Sequence, residues 1–384
     1  MEHHFTGPPY TLGVEEELMI VDAKTMDLVP AIEEMMVDVP PETEGQVKPE
    51  LLQSVLEIAT DVCRNVSEAA GQLDELRRRV RQTAEKKGLT IGSAGTHPFA
   101  RWEDQRIVDR ERYHEILDAL GFVVRQELLF GLHVHVGIDD PEKAIHVANG
   151  MRVHIPILLA LSSNSPFWRG MATNLMSART PIFRLLPRVG VPQRFDGWAD
   201  YQARIEFMVE AGAVPDYTFL WWDVRPHPAF GTIEIRSCDA QTRLEHTIGL
   251  AALIQAMAKE LAEHHEAGYE LGTFPHELLE ENKWLAARYG LAGDLIDLPQ
   301  STRVPARELA RRIVERLQPH ARELGSEREL EAVTDLIEGG TGAERQLAEW
   351  RANRDLRELV RKIVASTAQG VTGRVGDAGA RTGT

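Results

Sequence analysis

Cysteine is almost absent from this 384-residue chain: Cys63 and Cys238 are the only two. A disulfide framework is thereby excluded, and so few thiols suit a reduced, cytoplasmic protein. Positive charge is also scarce, with 43 Lys and Arg against 59 Asp and Glu and a formal net charge of -16. No stripe of basic residues stands out, which argues against nucleic acid as a partner. Missing too is any uninterrupted apolar run of about 18 residues, the length of a membrane span. The N-terminal Met-Glu-His-His-Phe has no basic region leading into an apolar one, so neither secretion nor membrane insertion is expected. No Gly-x-x-x-x-Gly-Lys-Ser/Thr and no Gly-x-Gly-x-x-Gly occurs, so a bound nucleotide would need a cradle other than a P-loop or Rossmann turn. Neither a serine nucleophile elbow nor a cysteine protease signature is present.

What remains is a globular composition, 43% hydrophobic, long enough to bury a sizeable core in one large domain or two smaller ones. Three stretches alternate with period two, as half-buried strands do. In residues 231–239 Ile233 and Ile235 share one face while Glu234 and Arg236 share the other. In 131–138 the residues Leu132, Val134, Val136 and Ile138 leave His133 and His135 together, and in 13–20 Glu15 and Glu17 point the same way. These segments are expected to be neighbouring strands of one sheet, its apolar face on helices and its polar face an active site.

Along the chain, a turn is expected at 22–27, a short amphipathic piece at 31–37, a Pro- and Glu-rich loop at 40–45 and a strand in the second half of 50–60. Ser67 is expected to cap a helix running to about 87, before a strand at 89–94. A helix is expected over 110–120, and Asp140-Pro141 opens another through 161. Residues 162–195 carry four prolines and Arg169, Arg179, Arg184, Arg188 and Arg194, a long basic irregular segment of the kind that is usually functional. Helix 197–210 and a strand at 219–225 follow, then helices over 244–266, 277–289, 305–324, 327–338 and 342–365. Strands early and helices late suit an α+β fold with a mostly antiparallel sheet. Residues 1–367 are taken as a single catalytic domain and 368–384 as a disordered tail.

Two carboxylates two apart on a strand face one side, the oxygen-rich setting that magnesium or manganese takes. Glu15 and Glu17 meet this condition amid Leu12, Val14, Leu18 and Ile20, where an unpaired carboxylate would be neutralised by desolvation. Read alone, the run is better taken as an exposed acidic strand, and it is the apolar setting that turns the reading toward metal. For Glu234 and Arg236 the alternative is a structural ion pair. Glu57 sits among apolar neighbours, and Glu50 shares with it a helical but not a strand face. The His-x-His pair also fits a zinc site, so a metal-dependent amide or ester hydrolase is the rival reading. Arg179 and Arg225 are candidate carboxylate or phosphate contacts by their bidentate geometry, with a salt bridge the equal alternative.

Taken in order, Gly-Val-Glu-Glu-Glu at 13–17, Glu-Leu-Leu-Gln-Ser-x-x-Glu-Ile-Ala-Thr at 50–60, Gly-Thr-His-Pro-Phe-Ala at 95–100, Gly-Leu-His-Val-His-Val-Gly at 131–137, Trp-Asp-Val-Arg-Pro at 222–226, Gly-Thr-Ile-Glu-Ile-Arg-Ser-Cys-Asp at 231–239 and Glu-Asn-Lys-Trp-Leu-Ala-Ala-Arg-Tyr-Gly at 281–290 resemble the type 2 glutamate-cysteine ligase family of carboxylate-amine ligases. The resemblance covers about residues 10–365. It implies a glutamine-synthetase-like α+β fold, in which a curved, mostly antiparallel sheet carries helices on its apolar face. It also implies ATP-dependent joining of small-molecule carboxylates and amines such as amino acids through an acyl phosphate, with weak glutamate-cysteine ligase activity. Carried over by motif, Glu15, Glu17, Glu50, Glu57, His133 and Glu234 would hold magnesium ions, and Arg236 would contact the transferred phosphoryl group. Two departures from the family pattern, Val55-Leu56 in place of a Gln and Ala172-Thr-Asn-Leu175 in place of an Asp-Thr-Gly element, fall on the substrate pocket. An open sheet edge also leaves room for pairing across a two-fold axis into a homodimer.

Overall fold

The structure is a computed structural model that describes residues 1–39, 43 and 45–370. Its centre is a seven-stranded sheet of β1 (Leu12–Asp22), β2 (Val47–Pro49), β3 (Val55–Ala59), β4 (Leu89–Gly92), β5 (Gly131–Gly137), β6 (Val224–His227) and β7 (Thr232–Asp239). The order is β6-β7-β5-β1-β3-β2, with β4 also paired to β1, and every pairing is antiparallel. The three alternating stretches of the sequence are therefore adjacent strands.

The expected curvature is a correction. The sheet is open, ending at β6 on one side and β2 on the other, and it neither closes nor curls strongly. Curvature in a sheet is introduced by bulges and glycine kinks. Here the register slips between β7 and β5, from Ile235 to Cys238, which bends one strand locally.

Alternation decides what each face meets. Leu12, Val14, Leu18, Val134, Val136, Ile233 and Ile235 point to one side and join a single core. Helices α1 (Val66–Glu85), α2 (Pro141–Ser162) and α3 (Leu244–Glu266) supply its other half through residues such as Leu73, Leu158 and Leu253. Helix α2 is long and apolar enough to cross a membrane, yet 83% of its most apolar window is buried inside the protein. It starts as expected, with Pro141 in its first turn and the Asp140 carboxylate accepting from the Lys143 N–H at 2.9 Å. Five further helices follow: α4 (His276–Tyr289), α5 (Ala306–Leu324), α6 (Glu327–Gly339), α7 (Gly342–Asn353) and α8 (Leu356–Thr367).

An ion pair lies on the apolar side. Glu16, between the two glutamates of the polar face, is fully buried and takes a bidentate pair from Arg77 of α1 at 2.6 and 2.7 Å. Arg77 also donates to the carbonyls of Gln241 and Thr242, and Thr247 Oγ1 donates to Glu16. The pair thus ties β1 to α1, to the turn after β7 and to α3.

Several local expectations differ from what forms. The cap of α1 is Asn65, whose side chain accepts from the Glu68 N–H, not Ser67. The single helix expected over 342–365 is two, broken where Arg354 takes a φ of 53° and the Asp355 side chain caps α8. The strand expected over 219–225 is divided: Trp221–Trp222 pairs in parallel with Val189–Gly190, and β6 begins at Val224. The expected loop at 40–45 falls mostly, and the expected tail at 368–384 largely, outside the described residues.

Candidate active site

Register assembles the polar face row by row. Across β5 and β1, His133 stands opposite Glu15 and His135 opposite Gly13. Across β1 and β3, Glu17 faces Glu57, and Glu57 in turn faces Lys48 of β2. Across β7, Glu234 faces His135 on one side and Arg225 on the other. Because these partners are fixed by backbone pairing, side chains from distant parts of the chain arrive with little freedom left to lose.

Two trios result. Glu15, His133 and Glu234 bring one ligand atom each within 4.8 Å of one another, and so do Glu17, Glu50 and Glu57. Glu50 is on no strand; it follows Pro49 at the end of β2 and accepts from the Leu51 N–H at 3.2 Å. His133 Nδ1 lies 3.3 Å from Glu15, while His135 Nε2 lies 3.9 Å from Glu15 and 3.8 Å from Glu234. Glu17 accepts from the Gly131 N–H at 2.5 Å, and Lys48 reaches Glu57 at 3.2 Å.

The two trios differ electrostatically. Burial would push the Glu15 carboxyl up, but hydrogen bonds and charge from His133 and His135 hold it well below the usual range. Glu234 is likewise held well below it, as Arg236 and Arg225 outweigh its burial. For Glu50 and Glu57 the compensation, from the Leu51 N–H and Arg236 for the first and from Lys48 for the second, falls short. Burial and then the charge of Glu17 push Glu50 up to about 7, and burial with the charges of Glu15 and Glu50 pushes Glu57 well above the ordinary carboxylate value. Carboxylates crowded together out of water are the chemistry a divalent cation relieves. Five glutamates and one imidazole form a hard, oxygen-rich set that fits magnesium or manganese better than the zinc of the rival reading.

The three arginines divide their work. Arg236 pairs with Glu234 and keeps a buried Nε without a partner. Arg225 donates to Glu234 at 2.6 Å and to the carbonyls of Thr218 and Leu220, so most of its guanidinium is committed within the protein. Arg179 donates to the Arg236 carbonyl at 3.2 Å, and its Nε is also buried and unpartnered. It owes its position to Asp239 at the end of β7, which accepts from Asn164 N–H, Ser165 Oγ and Ser177 Oγ at 2.9, 2.6 and 2.9 Å. That carboxylate orders the basic 162–195 stretch, whose Arg169 and Arg184 are instead spent on surface ion pairs.

Beside the second trio lies a cavity of about 140 Å³, where Glu17, Glu50, His133, Arg179 and Arg236 face an apolar wall that includes Val55, Tyr113 and Trp221. The first departure from the family pattern, Val55, therefore does line this cavity. Glu127 lines it too, and sequence reasoning missed it, since it belongs to no alternating strand. Its Oε1 is buried without a partner, and burial, only partly offset by Arg179, pushes its carboxyl well above the ordinary value. Lys283 was missed as well: from α4 it grips Asp223 at 2.7 and 2.8 Å, and the Asp223 carbonyl accepts from the Arg236 N–H.

Comparison with known proteins places the chain in a family. The family model for glutamate-cysteine ligase family 2 (GCS2) matches residues 11–366. A protein of Rubrobacter xylanophilus named provisionally as glutamate–cysteine ligase 2-1 is 46% identical over 364 residues, 95% of this chain and 96% of its own. One from Sorangium cellulosum, with a similarly provisional glutamate–cysteine ligase 2 name, is 42% identical over 94% of this chain and 97% of its own. Among solved structures, glutamate–cysteine ligase from Francisella tularensis in complex with AMP superposes with a TM-score of 0.67 at 13% identity, over 94% of this chain and 90% of that one. The last likeness is one of fold alone.

Proposed function

The chain belongs to glutamate-cysteine ligase family 2, and on that premise we propose that it joins a carboxylate to an amine at the expense of ATP. The observation that carries this reading is the pair of ligand trios on one sheet face. Arg236 touches Glu234 of the first and shares a cavity with Glu17 and Glu50 of the second. Glu15, His133 and Glu234 would hold one divalent ion, and Glu17, Glu50 and Glu57 another, magnesium being the expected metal. Such ions, when bound, offset the charge of a triphosphate and of the phosphoryl group in transfer.

The chain's own groups do the rest. The substrate carboxylate attacks the γ-phosphorus of ATP; a carboxyl-oxygen to phosphorus bond forms, the β–γ bridge breaks and ADP leaves. The amine then adds to the acyl phosphate, loses its proton and expels phosphate. Arg236, fixed by Glu234, supplies positive charge where the phosphoryl oxygens gain negative charge, without having to reorganise. Arg225 orients Glu234 from the neighbouring strand β6. Arg179 stands in the cavity with the geometry to receive a carboxylate. No enzyme nucleophile is required. The single catalytic domain spans 1–367 in this reading, in a cytoplasmic protein with weak glutamate-cysteine ligase activity among its reactions.

The test is ADP release with magnesium, ATP and a panel of amino acids that includes glutamate and cysteine. ADP should form only when a carboxylate and an amine are both present, and Glu234→Gln should abolish it. Cleavage of an amide or ester without ATP would replace this reading with the hydrolase.

A further inference from the structure

The polar face does not end at the first trio. The turn joining β6 to β7 carries Phe230, 63% exposed, with its ring parallel to that of His227 at 4.1 Å and an interplanar angle of 8°. This ledge is rigid. The His4 N–H donates to the Pro228 carbonyl at 2.8 Å, and the Gly231 carbonyl accepts from the Ile138 N–H at 3.0 Å. Gly231, at a φ of 66°, lies against the His4 backbone so closely that no Cβ would fit. Beneath it, the Tyr217 hydroxyl lies 3.3 Å from His227 Nδ1.

The ledge adjoins the first trio through one ring. His227 and Phe230 both meet His135 edge-on, at 5.6 and 5.8 Å. His135 in turn stands within 4 Å of Glu15 and Glu234. Opposite His135 on β1 is Gly13, where a Cβ would come within 3.5 Å of the His135 side chain. At the other end the face closes into the 140 Å³ cavity under Arg179, well short of the roughly 300 Å³ at which pockets for whole small molecules begin. The nucleoside of a triphosphate gripped at the trios would extend toward one of these two ends, and the ledge is the one that offers an exposed aromatic ring.

We propose that Phe230, backed by His227, is the platform on which the purine ring of ATP stacks. This rests on the ATP-dependent ligase reading and adds to it the residue that recognises the base. An aromatic face held in place ahead of binding loses little entropy when a base settles on it. Stacking of this kind discriminates weakly among bases, since every base has a π-face. The ledge therefore favours a nucleotide over bare polyphosphate more than it favours one purine over another.

The experiment measures, on the full chain with magnesium, dissociation constants for ATP, GTP and inorganic tripolyphosphate in the wild type, Phe230→Ala and Phe230→Trp. Removing the ring should weaken ATP and GTP by about tenfold and leave tripolyphosphate unchanged, and tryptophan should restore the affinity. The KM values for carboxylate and amine should not move. Equal ATP affinity in wild type and Phe230→Ala would overturn the platform while leaving the ligase reading intact. A parallel loss of ATP and tripolyphosphate would also overturn it, placing the effect in the trios. A wild type that binds no ATP would overturn both.

Discussion

Glu15, Glu16 and Glu17 are chemically identical and consecutive, yet the fold gives the middle one a different task, and that difference can be measured. Glu16 is fully buried on the helix side of the sheet and holds Arg77 through two bonds of 2.6 and 2.7 Å. Glu16→Gln keeps the shape and one acceptor oxygen but leaves the buried Arg77 guanidinium without its counter-charge, a broken buried pair of the kind that costs about 3–5 kcal/mol. Glu17 sits within 4.8 Å of Glu50 and Glu57. At that separation two full charges repel by about 3.5 kcal/mol at an effective dielectric near 20, and by less where the neighbours are protonated. Glu17→Gln can still accept from the Gly131 N–H, so without metal it should match the wild type or be up to about 1 kcal/mol more stable, as polar-site substitutions often are. Urea unfolding in EDTA reads the stabilities, and magnesium-dependent ADP release reads the function. The expected pattern is crossed: Glu16→Gln loses stability and, where folded, turns over, whereas Glu17→Gln keeps stability and fails to turn over. If Glu16→Gln cost under about 1 kcal/mol, or Glu17→Gln unfolded as readily in EDTA, the assignment of faces to β1 would be wrong.

Two further outcomes follow from buried polar groups. His97 is fully buried, with Nε2–H donating to the Met26 carbonyl at 2.9 Å and Nδ1 accepting from the Ala100 N–H at 3.0 Å, and burial lowers its pKa from 6.5 to about 4. The folded state therefore favours neutral His97, so its contribution is intact above about pH 6.5 and lost as pH falls toward 4, by roughly 3 kcal/mol. Urea midpoints between pH 7.5 and 4 should fall in the wild type and fall less in His97→Gln; equal slopes would remove His97 from the acid response. Asp239→Asn should loosen the stretch that places Arg179, raising the KM for the carboxylate substrate and admitting protease between Ser165 and Arg179. A cleavage pattern unchanged from the wild type would show that Asp239 does not order that stretch.

The chemistry of the site was legible wherever a strand announced its own period. Glu15 and Glu17, His133 and His135, and Glu234 and Arg236 could be paired from spacing alone, and the sheet places each pair on one face. Spacing failed for Glu50 because it follows Pro49 after the short strand β2, where neither a helical nor a strand period applies. It failed for Glu127 for the same reason. The break between α7 and α8 was hidden because neither Gly nor Pro marks it; the signal was Asp355, whose side chain accepts from the N–H groups of Arg357 and Glu358. Asn65 was passed over for Ser67 although both are good caps, since the choice depends on which residue leaves helical φ and ψ. Curvature is a property of bulges and their spacing, which no residue pattern in these strands specified.

Arginine shows where sequence reading stops. Arg179, Arg225 and Arg236 offer the same five donors, and only the register separates them. Arg225 stands directly across from Glu234 in the β6–β7 pair, so it is consumed by an internal carboxylate, while Arg179 and Arg236 keep unpartnered nitrogens near the cavity. The same register fixes the hydrophobic side. A slip of one residue in β7 would send Ile233 and Ile235 to the polar face and Glu234 into the core, where Val134, Val136 and the helices α2 and α3 wait for apolar partners. The core thus enforces the placement of the charged groups: packing energy spread over many aliphatic contacts holds carboxylates together that would otherwise repel. Mutations that loosen the apolar side of β5 or β7 should therefore disturb the site without touching any residue in it.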